Sequence, residues 1–170
     1  MTGGDEGTKD TGEAAIWRRM EDVVRQSGTP YILHEHRPTR TMEDAEQNLS
    51  FDLTRIVKTI AFGTRDGGLL LAALRGTNRV AYPLLAALVG RSRRDIAPLS
   101  PQEVLARLGV EPGCVSPVPF CEAADLLIDE DVLTIAPTLY CGFGRPDRTL
   151  EIAPADLVTI AGGRMGRFSR

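Results

Sequence analysis

Lysine is nearly missing from this 170-residue chain. Of its 20 lysines and arginines, only Lys9 and Lys58 are lysines. Lys9 sits in a polar N-terminal stretch, which leaves Lys58 as the one ammonium in the part expected to fold. Arginine offers a planar fork, whereas lysine is a compact point charge with three rotatable donors. A chain that otherwise uses arginine, yet sets lysine before the apolar run Thr59-Ile60-Ala61-Phe62, makes Lys58 a candidate functional residue. The plainer reading is a surface lysine at a strand start.

Other shortages exclude whole classes of chemistry. The 3 cysteines, Cys114, Cys121 and Cys141, are odd in number and include no Cys-x-x-Cys pair. That argues against a disulfide framework and against a zinc site. Cys121 and Cys141 read as small apolar fillers, while Cys114 could line a pocket. The 2 histidines, His34 and His36, would face one side of a strand. With no third ligand in view they read as ordinary half-buried histidines. No metal and no cofactor is expected, and no Ser-His-Asp arrangement stands out. No apolar run exceeds the length of Leu69 to Leu74, which is far too short to span a bilayer. No secretory signal pattern is visible, so a cytoplasmic location without a membrane partner is expected.

Net charge is also small, at −3. The first 13 residues account for it, with Asp5, Glu6, Asp10 and Glu13 against Lys9, and the body is neutral. Two local clusters remain, Arg91/Arg93/Arg94 and Arg164/Arg167/Arg170. Such clusters hold phosphates through charge-assisted hydrogen bonds, or are simply solvated. A polyanion would be gripped locally, with modest salt dependence.

Hydrophobic content of 42% and charged content of 25% fit one soluble domain with a sizeable core. Residues 1–12 read as a disordered acidic tail and 13–165 as the domain. Asp10 and Glu13 have the spacing of a capping box, opening a helix whose buried stripe is Ile16, Trp17, Met20, Val23 and Val24. Strands are expected at Tyr31–His36, Ile56–Gly63, Leu69–Arg75, Asp125–Asp129, Val132–Ala136, Leu139–Gly142 and Thr149–Ile152. Short helices are expected at Thr41–Leu49, Leu84–Val89, after the Ser100 cap, and at Ala155–Ile160. Asp66-Gly67-Gly68 signals a hairpin. Hairpin-linked strands mixed with short helices imply a single α+β domain with a mixed sheet.

Lys58-Thr59 and the hairpin after it, the loop Gly113-Cys114-Val115-Ser116-Pro117, and Leu127-Ile128-Asp129 occur in a suggestive order. Together with Cys141 to Gly144 and Glu151 to Leu157, they resemble the YbaK/ProX family of aminoacyl-tRNA deacylases. These are stand-alone relatives of the editing domain in bacterial prolyl-tRNA synthetases. The likeness runs from about Tyr31 to Ile160. It implies a curved mixed sheet flanked by short helices, and hydrolysis of the ester joining a wrong, small amino acid to its tRNA. By the same resemblance Lys58 orients the terminal adenosine, and the Gly113 backbone N–H holds the ester carbonyl. Cys114, Val115, Ser116, Pro117, Asp129, Gly142 and Gly144 would line the substrate site. The implied partners are the tRNA acceptor end and, further, an aminoacyl-tRNA synthetase. The competing reading is a non-catalytic tRNA- or nucleotide-binding regulatory module. Lys58 together with Gly113 favours the enzyme, because an interaction module needs neither.

Overall fold

The computed structural model describes residues 12–170, apart from the side chains of Met42 and Asn48. The expected capping position at Asp10 and all but the last residue of the expected tail lie outside the described residues. Gly12 already opens the first helix, α1 (Gly12–Gln26). Its apolar stripe is as expected: Met20 and Val24 are fully buried, and Ile16, Trp17 and Val23 pack beside them.

Among the described residues, eight strands form one mixed sheet. They are β1 (Tyr31–Glu35), β2 (Ile56–Thr64), β3 (Leu69–Arg75), β4 (Ile96–Pro98), β5 (Ala124–Asp129), β6 (Leu139–Gly142), β7 (Arg148–Ile152) and β8 (Arg164–Gly166). Their order across the sheet is β1-β7-β6-β2-β3-β5-β8, with β4 also paired to β2. Antiparallel pairs join β1 to β7, β6 to β7 and β2 to β3. Parallel pairs join β2 to β6, β3 to β5 and β5 to β8.

Strand β3, the run Leu69 to Leu74, explains how the sheet is covered. Successive side chains of a strand point to opposite faces. Leu69, Leu71 and Ala73 belong to one buried cluster, which includes residues of α1, α4 (Pro101–Leu108) and α5 (Pro154–Ala161). Leu70, Ala72 and Leu74 belong to another, with Leu85 and Ala86 of α3 (Tyr82–Val89). A strand buried on both faces has no polar side to show, hence its unbroken apolar run. The remaining helix, α2 (Met42–Asn48), is capped by Thr41, whose hydroxyl accepts from Asp44 N.

The structure departs from the sequence reading in three places. Residues Glu130–Thr134 form a 3-10 turn rather than the start of a strand, because Asp129 caps it by accepting from Asp131 N at 3.0 Å. The three-residue strands β4 and β8 were not expected; they are too short to carry an alternation signal. The folded chain also runs past residue 165. Arg79 and Arg170 exchange backbone hydrogen bonds of 2.8 and 2.9 Å, and Phe168 is fully buried.

Candidate active site

The site arises where strand pairing is interrupted. One edge of β2 pairs with β3 from Val57 to Gly63. Along the other edge, β6 pairs with Ile56 and Val57, and β4 takes over at Phe62. Leu99 N donates to Ala61 O at 2.9 Å just before that changeover. Residues 58–60 therefore lie at a notch between two diverging partners. A cavity of about 190 Å³ sits there, lined by Lys58 and Thr59, by Gly113 and Val115, by Gly142, by α2 and by the chain around Arg145 to Thr149.

Lys58 shares the sheet face of Ile60 and Phe62 by strand alternation. Its Nζ donates to Gly76 O at 3.2 Å and to Asn78 O at 2.6 Å. Burial, and secondarily the Arg79 guanidinium, pushes its pKa below the ordinary lysine value. Two carbonyls converging on one atom suit an ammonium, and one N–H of its three is left over. A planar guanidinium spreads its donors and cannot reproduce that convergence.

Gly113 is required by backbone geometry. Cys114 N donates to Glu111 O at 3.0 Å, and Gly113 has φ of 85°. Pro112 followed by a positive-φ glycine is the pattern of a type II turn. A Cβ on Gly113 would lie 2.2 Å from Arg40 O, so no side chain fits without moving the backbone. The turn's own bond uses Cys114 N, and Gly113 stays exposed at the cavity wall.

The other expected site residues divide. Val115 and Gly142 line the cavity, and a Cβ on Gly142 would come within 2.9 Å of Val115 O. Cys114, Ser116 and Pro117 are buried and absent from the cavity's lining. Their contacts brace the loop: Cys114 O accepts from Gly144 N at 3.1 Å, and Ser116 Oγ accepts from Val118 N at 3.1 Å. Burial, reinforced by Glu111, pushes the Cys114 thiol up to about 12, which removes it as a neutral-pH nucleophile. Gly144 borders a separate hollow with Glu13 and Arg145. Asp129 is elsewhere. It is 1% exposed and accepts from Phe168 N at 2.7 Å and Ser169 Oγ at 2.9 Å. Its carboxylate clasps the C-terminal segment and does not face the cavity.

Several residues at the cavity escaped sequence reasoning. His36 Nε2 lies 2.7 Å from Thr149 Oγ1, and His36 Nδ1 lies 2.6 Å from Arg37 O. Neither residue has a local spacing signal, because 113 positions separate them. Thr59 Oγ1 is buried without a hydrogen-bond partner, a polar group that a bound ligand could satisfy. Arg40, Arg145 and Arg148 line the cavity and pair with Glu111, Asp147, and both Glu35 and Asp147, respectively. The arginine clusters singled out from sequence are not at this site. Arg91 and Arg164 border a larger hollow of about 630 Å³, and Arg93 lies over the Tyr82 ring. His34 bonds Glu151 at 2.8 Å, and no group of three metal-ligating side chains occurs among the described residues.

Residues 36–160 match the family model described as the aminoacyl-tRNA editing domain. The proline–tRNA ligase of Xanthomonas oryzae pv. oryzae (strain MAFF 311018) is 35% identical over 115 residues, covering 68% of this chain and 19% of the ligase. The ligase of Xanthomonas axonopodis pv. citri (strain 306) is 33% identical over the same length and shares. This chain thus spans about a fifth of the length of those relatives. Among solved structures, a hypothetical protein superposes with a TM-score of 0.79 at 27% identity, covering 89% of this chain and 99% of that one. A protein described as a proposed trans-editing enzyme for prolyl tRNA synthetase superposes with a TM-score of 0.73 at 24% identity, covering 91% and 97%. That second likeness shows the fold.

Proposed function

Since this chain belongs to the aminoacyl-tRNA editing domain family, we propose that it hydrolyses the ester of a mischarged tRNA carrying a small amino acid. The observation that carries this reading is the convergence of Lys58 and Gly113 on one cavity, from elements 55 positions apart in sequence. An interaction module has no need of that pairing.

The chemistry is coherent with the geometry. Attack on an ester carbonyl builds negative charge on its oxygen, and a preorganised donor there is worth roughly 2.7–4 kcal/mol. The bare Gly113 N–H can approach that oxygen without a side chain in the way. Lys58, braced by two carbonyls, offers its remaining N–H to the terminal nucleotide. Arg40, Arg145 and Arg148, although paired with Glu111, Asp147 and Glu35, keep further N–H donors that suit the adjoining phosphates. Tyr140, stacked on Phe51 at 4.3 Å, adds an aromatic wall.

Size supports a small amino acid. A cavity of about 190 Å³ is below the roughly 300–1,000 Å³ typical of pockets that enclose drug-sized ligands. It admits an aminoacyl group and leaves most of the nucleotide outside. Thr59 Oγ1 supplies one polar contact for that group. Neighbours in size should be cross-substrates, because one methylene is worth only about 1–3 kcal/mol of discrimination. Bulky side chains meet overpacking instead.

The test is amino-acid release from one tRNA body charged with alanine, serine, cysteine or phenylalanine. Release of the small residues well above the buffer rate, with phenylalanine retained, is the expected pattern. Preferential release of phenylalanine contradicts the small-pocket claim. Tight binding of all four without release favours the regulatory module.

A further inference from the structure

His36 and Thr149 line the same cavity as Lys58 and Gly113, and nothing above gives them work. Their hydrogen-bond directions can be assigned. The Arg37 carbonyl, 2.6 Å from His36 Nδ1, can only accept, so Nδ1 carries a proton. In the neutral ring Nε2 is then the acceptor, and it takes the Thr149 hydroxyl proton across 2.7 Å. The ring is further anchored by its own backbone, since His36 N donates to Asp147 O at 3.1 Å. With its hydrogen committed to the imidazole, Thr149 Oγ1 has lone pairs to offer a water in the cavity. A hydroxyl, a base and a third group that orients the base is the general pattern of an activated hydroxyl.

From this geometry we propose that Thr149 and His36 form the proton relay for the hydrolytic water, an inference that rests on the deacylase reading above. Water gives a proton to Thr149 Oγ1 as Thr149 passes its own to His36 Nε2. The water oxygen bonds to the ester carbonyl carbon, and the carbonyl electron pair moves onto its oxygen beside Gly113. When that pair returns, the bond from carbonyl carbon to ribose oxygen breaks. The proton on His36 Nε2 goes back through Thr149 to the leaving ribose oxygen. The products are the free amino acid and the tRNA hydroxyl, with His36 and Thr149 restored. Thr149 touches the reacting water and is catalytic, whereas His36 acts through it and is a positioning residue.

Such a base contributes on the order of 10²–10⁴-fold. The experiment measures kcat and KM for Thr149→Val, Thr149→Ser and His36→Asn on two substrates, a misacylated tRNA and the alanyl ethyl ester. Melting temperature checks the fold, and intact-protein mass follows the reaction. Thr149→Val and His36→Asn are expected to lose about 10²-fold or more in kcat on both substrates, with KM within a few-fold. Thr149→Ser keeps the hydroxyl and is expected within about tenfold of wild type, which a purely structural methyl contact would not allow. If Thr149→Val does not fold, the serine variant and His36→Asn still decide. Wild-type kcat in His36→Asn, or an inactive but folded Thr149→Ser, overturns the relay. An acyl adduct on Thr149 also overturns it, making Thr149 the nucleophile instead. If wild type cleaves the ethyl ester with this same dependence but leaves tRNA esters intact, the relay stands and the tRNA reading falls. Inertness toward both substrates overturns both.

Discussion

Gly113 is fixed by its backbone before any chemistry is asked of it. Its φ of 85° and the 2.2 Å approach of a virtual Cβ to Arg40 O exclude side chains before any substrate is considered. A non-glycine residue held there costs on the order of 1–3 kcal/mol. Loss of activity in a Gly113 variant therefore tests the turn as much as the chemistry, and Lys58 is the cleaner probe. The cysteines give an independent check at the same scale. Burial pushes Cys114 and Cys141 up to about 12, leaving both as thiols near neutrality, and reactivity belongs to the thiolate. Cys121 is half-buried beside the larger hollow. Iodoacetamide at pH 8 is expected to label Cys121 first, with Cys114 and Cys141 modified only on unfolding. Early labelling of Cys114, read by peptide mass mapping, would contradict its burial behind the cavity.

At the scale of elements, two polar ties hold the sheet together. Asp129, at the end of β5, gathers Asp131 N, Phe168 N and Ser169 Oγ. Asp129→Ala orphans those donors, and each unmet buried donor costs about 1–3 kcal/mol. The variant is expected to melt well below wild type while its remaining folded fraction deacylates normally. A drop in kcat at unchanged stability would return Asp129 to the substrate site. The second tie is Glu151 on β7, which accepts from Thr138 Oγ1 at 2.6 Å and meets His34 at 2.8 Å. The Thr138 hydrogen bond first, then His34 and Arg55, holds its carboxyl below the ordinary 4.5 despite partial burial. A carboxyl lowered in the folded state adds stability above its unfolded pKa, and this is lost as pH falls through the folded one. Glu151→Gln is expected to flatten that acid limb of melting temperature against pH. An unchanged limb would deny the tie.

These elements also mark what the sequence could carry. The strand that carries Lys58, the Asp66-Gly67-Gly68 hairpin and the turn at Gly113 were legible because each has a local cause, an apolar run or a required backbone angle. Asp129 was misplaced because a strand ending in aspartate looks the same whether its carboxylate meets substrate or a distant chain end. His36 was read as an ordinary histidine because its partner, Thr149, is brought close only by the pairing of β1 with β7. Strands β4 and β8, with three residues each, have too little length for alternation. Thr59 had no signal at all; its buried, unpartnered hydroxyl exists only once the notch in β2 is formed.

At the scale of the molecule, the sheet's two buried clusters give β2 a rigid seat, and the change of partner along the edge away from β3 opens the cavity. The family match and the fold agree on an editing domain, although the chain spans only 19% of a proline–tRNA ligase relative. The central claim is that Lys58 serves ester hydrolysis in this cavity. Its most direct test is single-turnover release of alanine from a misacylated tRNA by wild type, Lys58→Ala and Lys58→Arg, each checked for folding by melting temperature. Wild type is expected to release alanine well above the buffer rate. Both folded variants are expected to lose about 10²-fold or more, since the guanidinium cannot replace an ammonium held between Gly76 O and Asn78 O. Release at the wild-type rate by folded Lys58→Ala would contradict the account.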